Sequence, residues 1–484
     1  MEAGVLGRRL LMSPAGTPLL DLAAALLNRG AARGPLVALA DRILCAYLHG
    51  GGNGEGPKRL ERERILIARS ILSTVDRLAR DGALSPHLTR VITRLWARAV
   101  LVPASATGPG REFVGRYGCE PPWFIAVSPG HACNLTCSGC YAGSLDGQAN
   151  LSWKVFDQII SQARRLWGIK LVVISGGEPL AYRSEGKDVL DIVRSHPDCL
   201  FLMFTNGTLI DDKVAARMER LGNLTPALSV EGMRKTTDER RGQGVFDRVL
   251  DSMSRLREAG VPVGISATVS RDNCEELMSD EFLDYFFYRE GAFYGFLFQY
   301  MPMGREPDLD LMPTPRQRLE LWRRSWEVIE KKKIFLFDFW NHGTLVNGCV
   351  AAGRERGYMH FDWNGLVMPC VFAPYSVGNV NDIFTRGGDL NQLWEAPFFE
   401  AIRRWQSEYG YGNGGPSREA NWLRPCPARD HFGDFRELVA RYGPTPADTA
   451  ARDAEADEEY LRGLASYGQE LARLSQAIWE REYL

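Results

Sequence analysis

Between residues 124 and 300, short apolar runs alternate with helical patterns, and this alternation leaves the chain very few folds. The runs are 124–128, 171–175, 200–204, 227–230, 264–269 and 294–300, each rich in apolar or β-branched residues. The intervening segments 153–167, 187–196, 211–221 and 246–259 carry helical patterns. Strands separated by helices pair in parallel, so the repeated unit gives an α/β fold with a parallel sheet. Six units suit a partial (β/α)6 TIM barrel. Ligands of such barrels gather at the C-terminal ends of the strands. The polar residues that close each run are therefore the first candidates for a site.

Behind the first run lies His-Ala-Cys-Asn-Leu-Thr-Cys-Ser-Gly-Cys-Tyr, with Cys133, Cys137 and Cys140 spaced C-x3-C-x2-C. Three thiolates at this spacing can wrap one corner of a cubic iron–sulfur cluster and leave its fourth iron open to a chelating small molecule. Zinc would want a fourth cysteine or histidine close by, and none follows at finger spacing. A structural zinc site and three incidental thiols are the alternatives. Behind the second run lies Ser175-Gly176-Gly177-Glu178-Pro179-Leu180. Its two glycines let the backbone approach a ligand closely. Glu178 offers a carboxylate suited to a ligand ammonium group. Alone, such a stretch is an ordinary strand-to-helix turn.

In this order and spacing the two motifs resemble the radical S-adenosylmethionine superfamily, over about residues 123 to 304. The resemblance implies that Cys133, Cys137 and Cys140 bind a 4Fe–4S cluster and that Gly176, Gly177, Glu178 and Pro179 hold the cofactor's amino group. It places Tyr141 near the adenine. It also makes Asn206, Ser229, Glu231, Thr268 and Gln299, all at strand ends, contacts to ribose, methionine carboxylate or substrate, with Arg241 suited to a carboxylate. The implied reaction is reductive cleavage of S-adenosylmethionine to a 5′-deoxyadenosyl radical, which abstracts hydrogen from a substrate carbon. The electron would come from a flavodoxin- or ferredoxin-type donor. No residue is singled out as catalytic by the motifs. An iron–sulfur sensor or electron carrier is the alternative of another class, but a carrier has no need of the Gly-Gly-Glu-Pro stretch.

With 484 residues, 45% of them hydrophobic, the chain can bury more than one core. Its net charge of −2 argues against a general nucleic-acid binder. The charge is uneven: residues 1–118 carry 17 Lys/Arg against 9 Asp/Glu, and the remainder is acidic. No uninterrupted apolar stretch reaches the ~18 residues of a membrane span. Arg8 and Arg9 stand near the start, but Pro14 and Asp21 break any signal-like apolar core. Ten cysteines with such a triple point to a reducing compartment rather than to disulfides. The expected location is the cytoplasm, with peripheral contact to the inner membrane face as an extension of that reading.

The expected division is an N-terminal helical region (1–117), a radical core (118–310), a helical linker (311–345), an auxiliary region (346–432) and a helical tail (433–484). A glycine-rich loop at 50–57 and the stretch 106–110 punctuate the first region, and 60–82 reads as an amphipathic helix. In the auxiliary region, Cys349, Cys370 and Cys426 accompany a hairpin at 359–367 turning on Asn364-Gly365, which would bring Cys349 and Cys370 together. This resembles the SPASM or twitch extensions that hold auxiliary clusters. The family pattern of a full SPASM domain has about seven cysteines for two clusters. Three here allow one, with Cys119, His431, a substrate atom or nothing in the fourth position. Zinc or a metal-free site are the alternatives. Cys45, Cys199 and Cys274 read as small buried apolar residues. Tyr460, Leu464, Tyr467, Leu471, Leu474 and Ile478 form one helical stripe, expected to dock on the chain's own body.

For the substrate, peptide modification is favoured, since relatives with auxiliary clusters, including anaerobic sulfatase maturases, often act on peptides. The basic N-terminal helices suggest a lipid reached from an anionic membrane surface. Tetraether-forming radical enzymes show that such chemistry exists in the superfamily. A small metabolite is the third class.

Overall fold

A computed structural model describes residues 16–27, 30–50, 58–83, 85–102, 104–143, 149–412 and 416–484. Arg8, Arg9, Pro14 and most of the glycine-rich loop at 50–57 lie outside the described residues. The centre is one nine-stranded sheet. Its strands are β1 (Phe124–Val127), β2 (Leu171–Ile174), β3 (Leu200–Thr205), β4 (Leu224–Ser229), β5 (Gly264–Val269), β6 (Gly295–Gln299), β7 (Leu336–Asp338), β8 (His360–Phe361) and β9 (Val367–Met368). Their order is β9-β8-β1-β2-β3-β4-β5-β6-β7. All neighbours run parallel except the β8–β9 hairpin. The sheet is mixed α/β and open-ended, as a partial barrel requires.

The six core runs all form strands, with two instructive differences. β4 begins at Leu224, earlier than expected, and so contains Pro226. Proline is tolerated here because β4 pairs with β5 only from Ala227 onward, so its missing N–H is needed by no ladder bond on that side. The stretch read as a helical linker, 311–345, also contains β7, which pairs with β6 and extends the sheet by one strand.

The helices are built on visible local signals. They include α1 (Gly16–Leu27), α2 (Gly30–Gly50), α3 (Lys58–Arg80), α4 (Trp153–Trp167), α5 (Arg234–Arg241), α6 (Pro315–Lys332) and α7 (Glu458–Tyr483). Ser152 caps α4 by accepting from the Val155 amide, and Gly168 ends it in the left-handed conformation. Its inner face, Phe156, Ile159, Ile160, Ala163 and Trp167, is fully buried on the sheet. Each large member contributes about 1.5–3 kcal/mol of burial. α7 docks on α3 and α6, burying Leu464 and Leu471, so the expected apolar stripe is covered by the chain itself. At its end the Tyr483 hydroxyl reaches the buried Glu63 carboxylate of α3. Cys199 and Cys274 are buried as expected. Cys45 is not: it is half-exposed and lies beside Asp41 and Arg69 of the helical region.

Candidate active site

The loop after β1 is pinned against the turn after β2, and this contact needs glycine. The Gly177 amide donates to the Gly130 carbonyl (2.9 Å) and the Glu178 amide to the Ala132 carbonyl (2.8 Å). A Cβ at Gly177 would stand 2.3 Å from the Ala132 oxygen. The backbones therefore meet directly beside Cys133. From the other side Arg240 of α5 donates to the carbonyls of Ser138 (3.2 Å) and Gly139 (3.3 Å). Arg305 donates to the Cys137 carbonyl (3.1 Å). The cysteine loop is thus held by backbone and guanidinium bonds, and the Cys133 sulfur accepts long bonds from the Leu135 amide (3.5 Å) and the Asn206 side chain (3.8 Å).

Cys133, Cys137 and Cys140 line a cavity of about 690 Å³ at the C-terminal ends of the strands. Cys349, Cys370 and Cys426 line the same cavity, although 208 residues separate Cys140 from Cys349 in sequence. Tyr141, Gly176, Gly177, Asn206, Ser229, Arg241, Thr268 and Gln299 line it as well. Three expected site residues, Glu178, Pro179 and Glu231, stand behind that wall. The Glu178 carboxylate is buried and accepts from the Leu180 amide (3.0 Å), the Thr205 hydroxyl (2.6 Å) and the Asn206 amide (2.8 Å). It ties the turn after β2 to the end of β3. Glu231 accepts from Arg240 and Arg241, and from the Thr268 amide at 3.0 Å. It holds Arg241 at the cavity wall.

Burial pushes the Cys133 thiol up to about 11 and Cys426 up to about 12, and raises Cys349 and Cys370 as well. Such thiols surrender their protons only to a strong positive partner. Both groups of thiols have cationic surroundings. Arg240 and Arg241 share the single carboxylate of Glu231, and Arg241 lies near Cys137 and Cys140. Arg318 and Arg429 share the single carboxylate of Asp430, all three with fully buried side chains. The two terminal nitrogens of Arg429 have no hydrogen-bond partner, and its guanidinium lies over the Trp340 ring at 4.6 Å. Each group of thiols thus has guanidinium groups beside it, which suits an anionic thiolate-bound cluster. Among the described residues, no three His, Cys, Asp or Glu side chains are placed to hold a single metal ion.

The Cys370 sulfur and the Tyr358 hydroxyl share a hydrogen bond at 3.0 Å, with the tyrosine ring stacked on Phe124 of β1. Cys119 and His431 are not in the cavity wall. Cys119 is exposed, and His431 bonds to the Arg424 carbonyl at 2.9 Å. Three contributors were not singled out in the sequence. Arg240 is the neighbour of the arginine that was. Asp338 receives both Gln299 bonds, each 3.2 Å, and holds that side chain in place. Its signal was a lone acid inside the apolar stretch 334–340. Arg429 gave no signal beyond its place three residues after Cys426.

A family model described as the Radical SAM superfamily matches residues 127–278. An AdoMet-dependent heme synthase of Methanosarcina barkeri is 27% identical over 315 residues, 58% of this chain and 85% of that protein. The sporulation killing factor maturation protein SkfB of Bacillus subtilis is 31% identical over 261 residues, 52% of this chain and 60% of that one. Among solved structures, Streptococcus suis SuiB bound to precursor peptide SuiA superposes with a TM-score of 0.50 at 18% identity, covering 70% of this chain and 80% of SuiB. That last likeness concerns the fold.

Proposed function

We propose, for this enzyme with its radical S-adenosylmethionine domain and C-terminal extension, that one cavity serves both groups of cysteines and the substrate between them. When bound, the 4Fe–4S cluster and S-adenosylmethionine supply reductive C–S cleavage and, from it, abstraction of hydrogen from an unactivated carbon. Cys133, Cys137 and Cys140 hold the cluster. The backbone of Gly176 and Gly177 gives the cofactor close approach, and Arg241, positioned by Glu231, faces its carboxylate. Glu178 and Pro179 shape the turn that supports the amino group. Tyr141, Asn206, Ser229, Thr268 and Gln299 border the adenosine and the substrate. The apolar walls help to exclude water from the reacting carbon.

Cys349, Cys370 and Cys426, within a unit spanning about 346–432, would hold a second iron–sulfur cluster, which would supply a one-electron redox centre beside the substrate. The observation that carries this reading is that all six cysteines line one cavity. The donor of the first electron is a flavodoxin or ferredoxin, and the setting is cytoplasmic. Peptide modification draws support from the likeness to SkfB. The lipid reading draws its support from the cavity walls.

Anaerobic reconstitution, with iron counted and 5′-deoxyadenosine assayed after dithionite, tests both halves. The expected result is about eight irons, falling to about four in Cys349→Ala/Cys370→Ala. Cys133→Ala should release no 5′-deoxyadenosine. Normal release by Cys133→Ala would reject the first half, and an unchanged iron count in the double variant would reject the second.

A further inference from the structure

The walls of the barrel have an unusual distribution of burial. On β1 to β3 the residues that face the helices, Ile125, Val172, Ile174, Phe201 and Met203, are completely buried. The alternate residues Phe124, Leu171, Val173, Leu202 and Phe204 are only half-buried, because they face the cavity. Phe296, Phe298 and Phe337 do the same on β6 and β7. In a closed barrel these inward positions interlock as packed core. Here they line a bore.

The bore runs from the thiols down to the N-terminal ends of the strands, where Ile67 and Ile71 of α3 form its floor. Along β3, Leu200 to Phe204 alone covers roughly 13 Å at about 3.3 Å per residue. A peptide would bring one backbone donor and one acceptor per residue into such a space. An aliphatic chain brings none, and it removes the exposed aromatic and leucine surface from water.

At the floor two guanidinium groups share the cavity wall, Arg64 from α3 and Arg356 from the loop leading to β8, the latter more than half exposed and 3.8 Å from the adjacent Glu355 carboxylate. Arg356 adjoins Gly357, whose carbonyl accepts from the Trp123 amide just before β1. Arg64 donates to the Asn347 side chain at 2.8 Å and keeps a buried Nε without an acceptor. Among the described residues it forms no ion pair. Burial, then repulsion from Arg356, lowers its proton affinity.

We propose that the bore binds a single aliphatic chain ending in an anionic head group, with the head on Arg64 and Arg356 and the chain rising toward Cys133, Cys137 and Cys140. This deepens the proposed function and rests on it only for what is done to the chain. The shared chemistry is that of a free fatty acid and of a membrane lipid's acyl chain. Leu22 on α1 and Leu39 and Ile43 on α2, in the helices stacked outside α3, are 56%, 54% and 59% exposed, which would suit contact with a bilayer.

The test measures binding to the reconstituted full-length protein without reductant, so chain binding and radical chemistry are read separately. A fluorescent alkyl carboxylate is displaced by saturated carboxylates from octanoate to hexadecanoate, by hexadecanol, by phosphatidylglycerol vesicles, and by an apolar peptide of similar length. Affinity is expected to rise roughly fourfold per methylene, the equivalent of about 0.8 kcal/mol. Hexadecanoate should outcompete hexadecanol, and Arg64→Gln/Arg356→Gln should erase that difference. Ala126→Phe and, separately, Val173→Phe should fill the bore and remove probe binding at unchanged iron content.

Displacement by vesicles would place the source in the membrane. Displacement by dispersed acids alone would place it in solution. A flat dependence on length, full probe binding in both filled variants, or a peptide that outcompetes hexadecanoate would overturn the proposal. Release of 5′-deoxyadenosine under dithionite, assayed in parallel, would show whether the radical chemistry survives that result.

Discussion

Replacing Asp362 by asparagine is expected to stabilise the protein at neutral pH and to leave it unchanged in acid. Asp362 closes the turn of the β8–β9 hairpin. Its Oδ1 accepts from the amides of Asn364 (2.9 Å) and Leu366 (2.8 Å), and the residue is only 3% exposed. Burial raises its pKa from 3.8 to about 6, against the pull of those backbone donors. Because the folded value lies above the unfolded one, the native state prefers the protonated carboxyl. That contribution is fully present below about pH 4 and is lost as pH rises through about 6. At about 1.4 kcal/mol per pH unit, the loss approaches roughly 3 kcal/mol at neutral pH. Asparagine keeps the accepting oxygen and never ionises, so Asp362→Asn should recover most of it.

Urea unfolding followed by tryptophan fluorescence at about pH 4 and about pH 7 measures the difference directly, with the slope checked for a constant unfolding reaction. A gain of equal size at both values would mean that the charge is irrelevant. A loss at neutral pH would mean that the ionised carboxylate is what the turn requires. Either result refutes the reasoning.

Two other substitutions probe the supports of the site. Asp430→Asn strips the shared counter-ion from Arg318 and Arg429 and should cost about 3–5 kcal/mol, as breaking a buried pair does. Thermal melting against an exposed-pair control such as Glu458→Gln would show it. Gly177→Ala should prevent the cysteine loop from seating, because its Cβ would lie 2.3 Å from the Ala132 carbonyl oxygen and 2.4 Å from that of His131. Iron content at the first site should drop while Asp430 and its partners keep the C-terminal region folded, and limited proteolysis would separate the two.

Much of this architecture could be read in the chain because it is written locally. Period-two apolar runs and capped helices mark the core strands and α4, and the thiol spacing marks the first site. What escaped reading depends on long-range geometry. β7 is three residues long and is a strand only because β6 lies beside it. Glu178 and Glu231 carry acidic groups at strand ends, as ligand contacts would, yet their carboxylates answer to donors from other elements: Thr205 and Asn206 for one, Arg240 and Arg241 for the other. No local pattern distinguishes a carboxylate facing a ligand from one bracing the residue that does. The bore is invisible for a similar reason. Alternation says which residues point inward, but not whether the opposite wall is close enough to meet them.

The two outer edges of the sheet are both supplied by chain that follows the six barrel strands, with β7 on one side and the β8–β9 hairpin on the other. For the nascent protein this sets an order of events. At about 5–20 residues per second, a ribosome that has finished β6 needs several more seconds to deliver β9. Throughout that interval both margins of a parallel sheet present unpaired backbone to solvent, the kind of surface that recruits other strands. The cysteine loop has already emerged by then, while its chamber still lacks one side wall. Whatever machinery delivers iron and sulfide therefore meets an accessible half-built vessel first and a completed one later. Translation itself becomes the clock for maturation.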